Sequence, residues 1–142
     1  MSEEFEFPPA IDPSRVGTYP ALSKAGGGYV WDAVLEYRVW YPSSPNAVDD
    51  SEGGDQFEAF ATYEDALDFA RATDEAADPL ALVLQEEYID ETQLGLYVHV
   101  RERRVTEWPV TFLRRPRRTP ETIPAFISSD SPDRLDRLRG LV

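Results

Sequence analysis

Cysteine is absent from the chain, and histidine occurs once, as His99. Without cysteine the protein has no disulfide framework, no thiolate nucleophile and no Cys-ligated zinc or iron–sulfur site. A single histidine excludes intrachain metal motifs that need two, such as H-E-x-x-H. The glycines at 26–28 lack the G-x-x-x-x-G-K-S/T spacing of a phosphate-binding loop. The sequence therefore predicts neither a metal nor a cofactor.

Basic residues are few and lysine is almost missing: 14 Lys+Arg, of which only Lys24 is lysine, stand against 27 Asp+Glu. The net charge of −13 is unevenly distributed, because residues 1–95 carry −17 and residues 96–142 carry +4. An acidic, lysine-poor surface stays hydrated, as in proteins of GC-rich genomes or high-salt cytoplasm. It also repels nucleic acid and anionic membranes and attracts basic partners. We expect a protein partner and regard nucleic-acid binding as unfavourable.

Long apolar runs are also missing, since no stretch approaches the roughly 20 residues that a membrane helix needs. The N-terminus is acidic and lacks the positive start of a signal peptide. We therefore expect a cytoplasmic protein without a membrane segment. The 142 residues, 42% of them hydrophobic, suffice for one domain with a sizeable core.

Composition divides the chain into three segments. Residues 1–28 hold four prolines followed by three glycines, which predicts an extended, mobile arm with a glycine hinge. Residues 29–113 alternate apolar and polar side chains and form the predicted α+β core domain. Residues 114–142 begin with arginines and contain Thr-Pro and Ser-Pro pairs, which favour short helical turns in a C-terminal tail.

Hydrophobic periodicity locates one long strand and one main helix. Residues 29–41 alternate as a strand, with Leu35 and Tyr37 on one face and Val34 on the other. Thr62 is a favourable N-cap, and the residues that follow place apolar side chains along one helical stripe. The segment 78–79, Asp-Pro, ends this helix.

Four further strands are predicted from alternating side chains at 56–61, 80–89, 96–101 and 105–113. A turn at 90–95 separates two of them, and Leu96, Val98 and Val100 are expected to face inward. Pro109 favours an edge position for the last strand. The order β-β-α-β-β-β predicts an α+β fold: a largely antiparallel sheet of four to five strands, one main helix packed on one face, and a short C-terminal helix.

Two groups of side chains are candidate binding residues. Trp40 lies beside Arg38 on the less apolar face of the long strand, and Trp with Arg is typical of binding hot spots; burial under the C-terminal tail is the alternative. Alternation places Tyr97, His99 and Arg101 together on the outer face of strand 96–101. His99 alone has an unperturbed pKa suited to proton transfer near neutral pH. No catalytic motif accompanies it, so we predict a surface histidine and no catalytic residues.

Four arginines open the C-terminal segment: Arg114, Arg115, Arg117 and Arg118. Guanidinium groups bind phosphate or carboxylate through two hydrogen bonds, so these residues are candidate anion contacts. Alternatively, they pair with the acidic body of the protein or with an acidic partner. The loop 49–55 gathers four carboxylates that could bind Ca²⁺, but it lacks EF-hand spacing, which favours a solvated hairpin loop.

Three segments carry a resemblance: YRVWYPSSP at 37–45, FATYEDALDFA at 60–70 and TPETIPAF at 119–126. Together they resemble a small, uncharacterised bacterial family often labelled GCN5-related acetyltransferase, which implies acyl transfer from acetyl-CoA. That family binds acetyl-CoA through Arg/Gln-x-x-Gly-x-Gly/Ala ahead of a helix. The nearest match, RLRGLV at 137–142, lacks the final small residue, so the resemblance transfers no functional residues.

The favoured hypothesis is a small cytoplasmic binding or regulatory protein without catalytic activity. Its acidic surface and the region around Trp40 would bind a basic protein or a small-molecule partner. The alternative hypothesis is an acyl-CoA-dependent, N-acetyltransferase-like enzyme, and it rests on the family resemblance.

Overall fold

A computed structural model describes residues 7–20, 24–25, 27–42 and 55–139. The candidate calcium loop, apart from Asp55, and the first glycine of the expected hinge, Gly26, lie outside the described residues.

Seven strands form two sheets within the described part of the chain. In chain order they are β1 (Lys24–Ala25), β2 (Ala33–Pro42), β3 (Asp55–Phe60), β4 (Leu80–Gln85), β5 (Tyr88–Gln93), β6 (Leu96–Val100) and β7 (Arg104–Pro109). The main sheet has the order β1-β7-β4-β2-β3, and β5 and β6 form a separate hairpin. Neighbouring strands are antiparallel except β1, which runs parallel to β7. The predicted α+β class is confirmed.

The main helix, α1 (Tyr63–Ala72), begins where the sequence predicts it, but it ends at Ala72, where Thr73 turns to an extended conformation, and not at the Asp-Pro pair of 78–79. The Thr62 hydroxyl accepts a hydrogen bond from the Asp65 amide at 3.2 Å and so caps its first turn. The fully buried Ala66 lets the helix approach β2 and β3 closely. The first core cluster fills the space between helix and sheet: Trp31, Val34, Tyr37, Val39, Ala66, Ala81, Val83, Trp108 and Leu113.

A bulge in β2 changes the predicted face of the long strand. Val34 pairs with Val83 and Tyr37 with Ala81, while the register shifts between Val34 and Glu36. Because Ala81 and Val83 are two apart on β4, their partners Val34 and Tyr37 point to the same side. The prediction that Val34 lies opposite Tyr37 is wrong, since simple alternation cannot anticipate the extra residue at the bulge.

The predicted single strand 80–89 is two strands, β4 and β5, which belong to different sheets. The Asp32 carboxylate accepts a hydrogen bond from the Glu86 amide at 2.7 Å, just where β4 ends. The turn expected at 90–95 is correspondingly short, and Gly95 in it has a φ of 83°. Position 95 thus adopts a left-handed conformation that glycine tolerates best.

The facing predicted for β6 is wrong. Leu96 and Val98 are 54% and 46% exposed, whereas Tyr97 and His99 are half-buried. The hairpin is covered on one side by the C-terminal part of the chain, and Tyr97 packs there against Phe126. Alternation within β6 is correct, but the covering layer lies on the opposite side from the one expected.

The described part of the predicted arm lies against the main sheet. The Ala10 amide donates to the Ala61 carbonyl at 2.7 Å, and the Ile11 amide donates to the Val34 carbonyl at 2.8 Å. Farther along, the Gly17 amide donates to the Glu36 carboxylate at 2.8 Å. These bonds hold residues 7–20 over the side chains of β2.

The expected glycine hinge makes specific contacts at the two positions that the structure describes. Gly28 pairs with Ile89 across an isolated bridge. The Gly27 carbonyl accepts hydrogen bonds from Trp108 Nε1 at 2.9 Å and from Gln85 Nε2 at 3.1 Å. This backbone therefore joins the main sheet to the hairpin.

The C-terminal segment covers the hairpin with two short helices, α2 (Thr122–Ser128) and α3 (Arg134–Leu138). A second core cluster forms there, consisting of Val30, Ile89, Ile123, Phe126 and Leu138. The strand expected at 105–113 ends at Pro109, and a 3₁₀ helix, Val110–Arg114, follows. The edge position expected for this strand is wrong, because the short strand β1 pairs with β7 on the side away from β4. None of the described helices combines the length and apolar character needed to cross a bilayer.

Candidate functional site

Arg38 is not part of an exposed platform, because its side chain is fully buried. Its Nε donates to Glu36 at 2.6 Å, its Nη1 to Glu107 at 2.9 Å and its Nη2 to the Pro20 carbonyl at 2.6 Å. Trp40 is half-buried, and its Nε1 donates to the same Glu107 carboxylate at 3.0 Å. The cover over Arg38 is the N-terminal segment and not the C-terminal tail that the sequence suggested. A buried guanidinium with these partners is closed to a ligand, and removing one of the carboxylates would leave its charge uncompensated.

His99 belongs to a polar network between the hairpin and the C-terminal segment. Its Nε2 lies 2.7 Å from Glu87 Oε1, with side-chain exposures of 15% and 18%. The carboxylate accepts, so Nε2 carries the hydrogen. This hydrogen bond, together with the charge of Arg118, holds the pKa of Glu87 below its usual value. Neighbouring Arg101 is exposed.

Arg118 connects the network to the main sheet. Its Nε donates to Asp32 Oδ1 at 2.9 Å, and its Nη1 donates to Glu87 Oε2. Arg118 and Asp32 are each 14% exposed, so this ion pair is shielded from most of the solvent. Two carboxylates that sequence reasoning left out of any site, Asp32 and Glu87, are therefore brought together by one guanidinium.

The other arginines of the 114–118 cluster stack on aromatic rings. Arg115 lies 4.0 Å from the Phe112 ring centroid, and burial lowers its pKa. Arg117 lies 4.8 Å from the ring of Trp31, and Arg114 lies 5.9 Å from the ring of Phe7. Their binding of an external anion remains a prediction.

The exposed carboxylates of the body concentrate around α1. We call the following side chains, which lie on α1 or within six residues of its ends, the acidic face: Glu58, Glu64, Asp65, Asp68, Asp74, Glu75 and Asp78. All are exposed, and none forms an ion pair within the described part of the chain. Arg71 is the sole base between residues 55 and 79. This face therefore carries an excess of negative charge, because Arg71 alone stands against its carboxylates.

No protein-family model, curated protein or solved structure matches the chain. The resemblance to acetyltransferase-labelled proteins therefore stays a prediction. In the structure, Arg137 and Leu138 of the nearest acetyl-CoA motif lie inside α3, whereas that motif precedes a helix in the family.

Proposed function

We propose that the protein is a non-catalytic binding or regulatory protein whose acidic face recognises a basic protein partner. The supporting observation is that the negative charges of the acidic face are exposed, whereas two of the arginines are paired inside the protein. The carboxylates of the acidic face are exposed and unpaired within the described fold, whereas Arg38 and Arg118 are engaged with internal carboxylates. The surface charge available to a partner around α1 is therefore almost entirely negative.

A cluster of this kind accelerates encounter with a basic partner and fixes its orientation. Each exposed ion pair contributes only about 0.2–1 kcal/mol, so affinity comes from several pairs acting together. Such binding weakens as salt rises, because exposed charges are screened beyond about 10 Å at 0.1 M ionic strength.

The test compares two variants of equal net charge for binding to an oligo-arginine peptide. One variant, Asp68→Asn with Glu75→Gln, removes two charges from the acidic face. The control, Glu121→Gln with Asp136→Asn, removes two exposed charges from the C-terminal part. We expect the first variant to weaken binding about fivefold at low salt and the control to leave it within about twofold.

Fluorescence anisotropy of the labelled peptide measures both affinities across a salt series. Equal weakening by the two variants would show that only net charge matters and would refute a localised binding face. Undetectable binding by the unaltered protein at low salt would also refute the proposal.

A further inference from the structure

Two adjoining cavities lie along α2 and α3, far from the acidic face in sequence. The first has a volume of about 280 Å³, and the second, of about 470 Å³, shares Ser129 and Arg134 with it. We propose that the first cavity binds a small organic oxyanion, a carboxylate or a phosphate monoester, that carries an apolar group. Arg134 would hold the anionic end. This proposal does not depend on the acidic face.

The guanidinium of Arg134 forms hydrogen bonds through Nη1, whereas its Nε–Nη2 edge has no acceptor among the described residues. Its Nη1 donates to the carbonyls of Phe126 and Ser129, at 3.1 and 2.8 Å. The guanidinium carbon also lies 4.6 Å from the centroid of the Phe126 ring and 5.2 Å from that of Tyr97. No side chain or carbonyl among the described residues accepts from Nε or Nη2.

The Nε–Nη2 edge of arginine is a planar fork that matches the two oxygens of a carboxylate or phosphate. Because the carbonyls and rings already immobilise Arg134, an anion that binds this edge orders little further side-chain motion. The remaining polar lining suits an anion as well, since Thr122 and Ser129 contribute hydroxyls. This geometry supports recognition by two parallel charge-assisted hydrogen bonds.

The charge of the lining distinguishes this cavity from the rest of the protein. Although the chain has 27 acidic and 14 basic residues, the described residues that line the first cavity include two arginines and no carboxylate. Arg137, the second arginine, is 68% exposed and already pairs with Asp133 at 3.3 Å. The second cavity includes Asp130. Anion binding is therefore expected at Arg134 on the side of the first cavity.

Phe126 and Leu138 give the cavity an apolar wall and are themselves almost fully buried. A volume of about 280 Å³ is just below the usual 300–1,000 Å³ range of ligand pockets. The cavity therefore fits a compound of one small ring or short aliphatic chain with one anionic group.

The experiment is an NMR titration of the full chain with benzoate, phenyl phosphate, inorganic phosphate and neutral benzamide. We expect benzoate or phenyl phosphate to shift the Nε–H signal of Arg134 and the amides of Thr122 and Ser129 saturably, with a dissociation constant of about 1 mM. Inorganic phosphate should bind more weakly because it lacks the apolar group. Comparing the affinities of benzoate and phenyl phosphate shows whether the Nε–Nη2 edge of Arg134 prefers a carboxylate or a phosphate.

Three variants test the location. Arg134→Lys keeps the charge but loses the fork, and we expect affinity to fall about tenfold. Ala125→Trp fills the cavity from an exposed position on α2 without removing a contact, so it should abolish binding. This variant keeps the location testable if Arg134→Lys fails to fold. Ser128→Trp adds the same ring to an exposed position on α2 that lines neither cavity, and it should bind normally.

Saturable shifts that are lost in Ala125→Trp and kept in Ser128→Trp would support the proposal. Equal binding of benzamide and benzoate would overturn the anion recognition. Unchanged affinity in Ala125→Trp would overturn the location, and the absence of any saturable shift at about 10 mM of either organic anion would overturn the proposal altogether.

Discussion

Replacing Arg118 with glutamine removes the guanidinium that joins the C-terminal segment to both sheets. Its two carboxylate partners, Asp32 and Glu87, would remain side by side without the cation. Glutamine keeps a neutral polar amide and the aliphatic stem of the side chain, but it is shorter than arginine and carries no charge. The substitution therefore tests the charge-assisted hydrogen bonds more than the packing.

The magnitude follows from the geometry of the three side chains. Hydrogen bonds to charged groups contribute about 1.5–3 kcal/mol each, and breaking a buried ion pair costs about 3–5 kcal/mol. Here the side chains are 14–18% exposed. Asp32 also keeps its bond from the Glu86 amide, and Glu87 keeps the one from His99. We therefore expect Arg118→Gln to lower the free energy of unfolding by about 3 kcal/mol.

Urea denaturation followed by tryptophan fluorescence measures this loss, with Arg117→Gln as the matched control. Arg117 is exposed and stacks on Trp31, so its substitution should cost about 0.5 kcal/mol. A double-mutant cycle adds a second check. The loss of unfolding free energy caused by Arg118→Gln should be at least about 1 kcal/mol smaller in the Glu87→Gln background than in the unaltered protein. A loss below about 1 kcal/mol, or equal losses in the two arginine variants, would refute the assigned role of Arg118.

Two further outcomes are expected. Gly28→Ala should destabilise the protein by about 3 kcal/mol in urea denaturation, because the φ of Gly28 is 84° and a Cβ there would lie 2.2 Å from the buried Gln85 amide nitrogen. The control Gly17→Ala, at a φ of 88° with open surroundings, should cost about 1 kcal/mol. Similar losses of stability in the two variants would contradict the close approach of Gly28 to Gln85. Because the Glu87 pKa is lowered in the folded protein, its stabilising contribution is present above the unfolded value of about 4.3 and is lost as the pH falls through the folded value. Unfolding free energies measured below about pH 5 should therefore depend less on pH in Glu87→Gln, and identical slopes would contradict the bond to His99.

Local sequence was sufficient for the parts of the fold that local interactions determine. Thr62 and the apolar stripe after it predicted α1 because capping and amphipathicity act within a few residues. The split between β4 and β5 could not be seen in the alternating segment, since the Asp32 carboxylate interrupts it from 54 residues away. Gly95 offered a usable signal: a tight turn at that glycine places Tyr88 opposite Val100.

The candidate site was harder to predict because its charges are paired over long distances in sequence. Arg38 looked solvent-facing on an alternating strand, but Glu107 and the Pro20 carbonyl satisfy it inside the protein. The pairing of Arg118 with Asp32 spans 86 positions, so no motif could reveal it. Composition predicted an excess of negative charge, and only the fold shows which carboxylates stay unpaired.

The bond between Asp32 and Arg118 also bears on how the chain acquires its structure during synthesis. Until the chain beyond β7 has been synthesised, Asp32 lacks the Arg118 guanidinium, and the inner side of the hairpin lacks the cover of α2 and α3. Contacts between residues so distant in sequence close slowly, because a long loop must be ordered before they form. The nascent protein therefore passes through a period in which α2 does not yet pack against Ile89 and Tyr97.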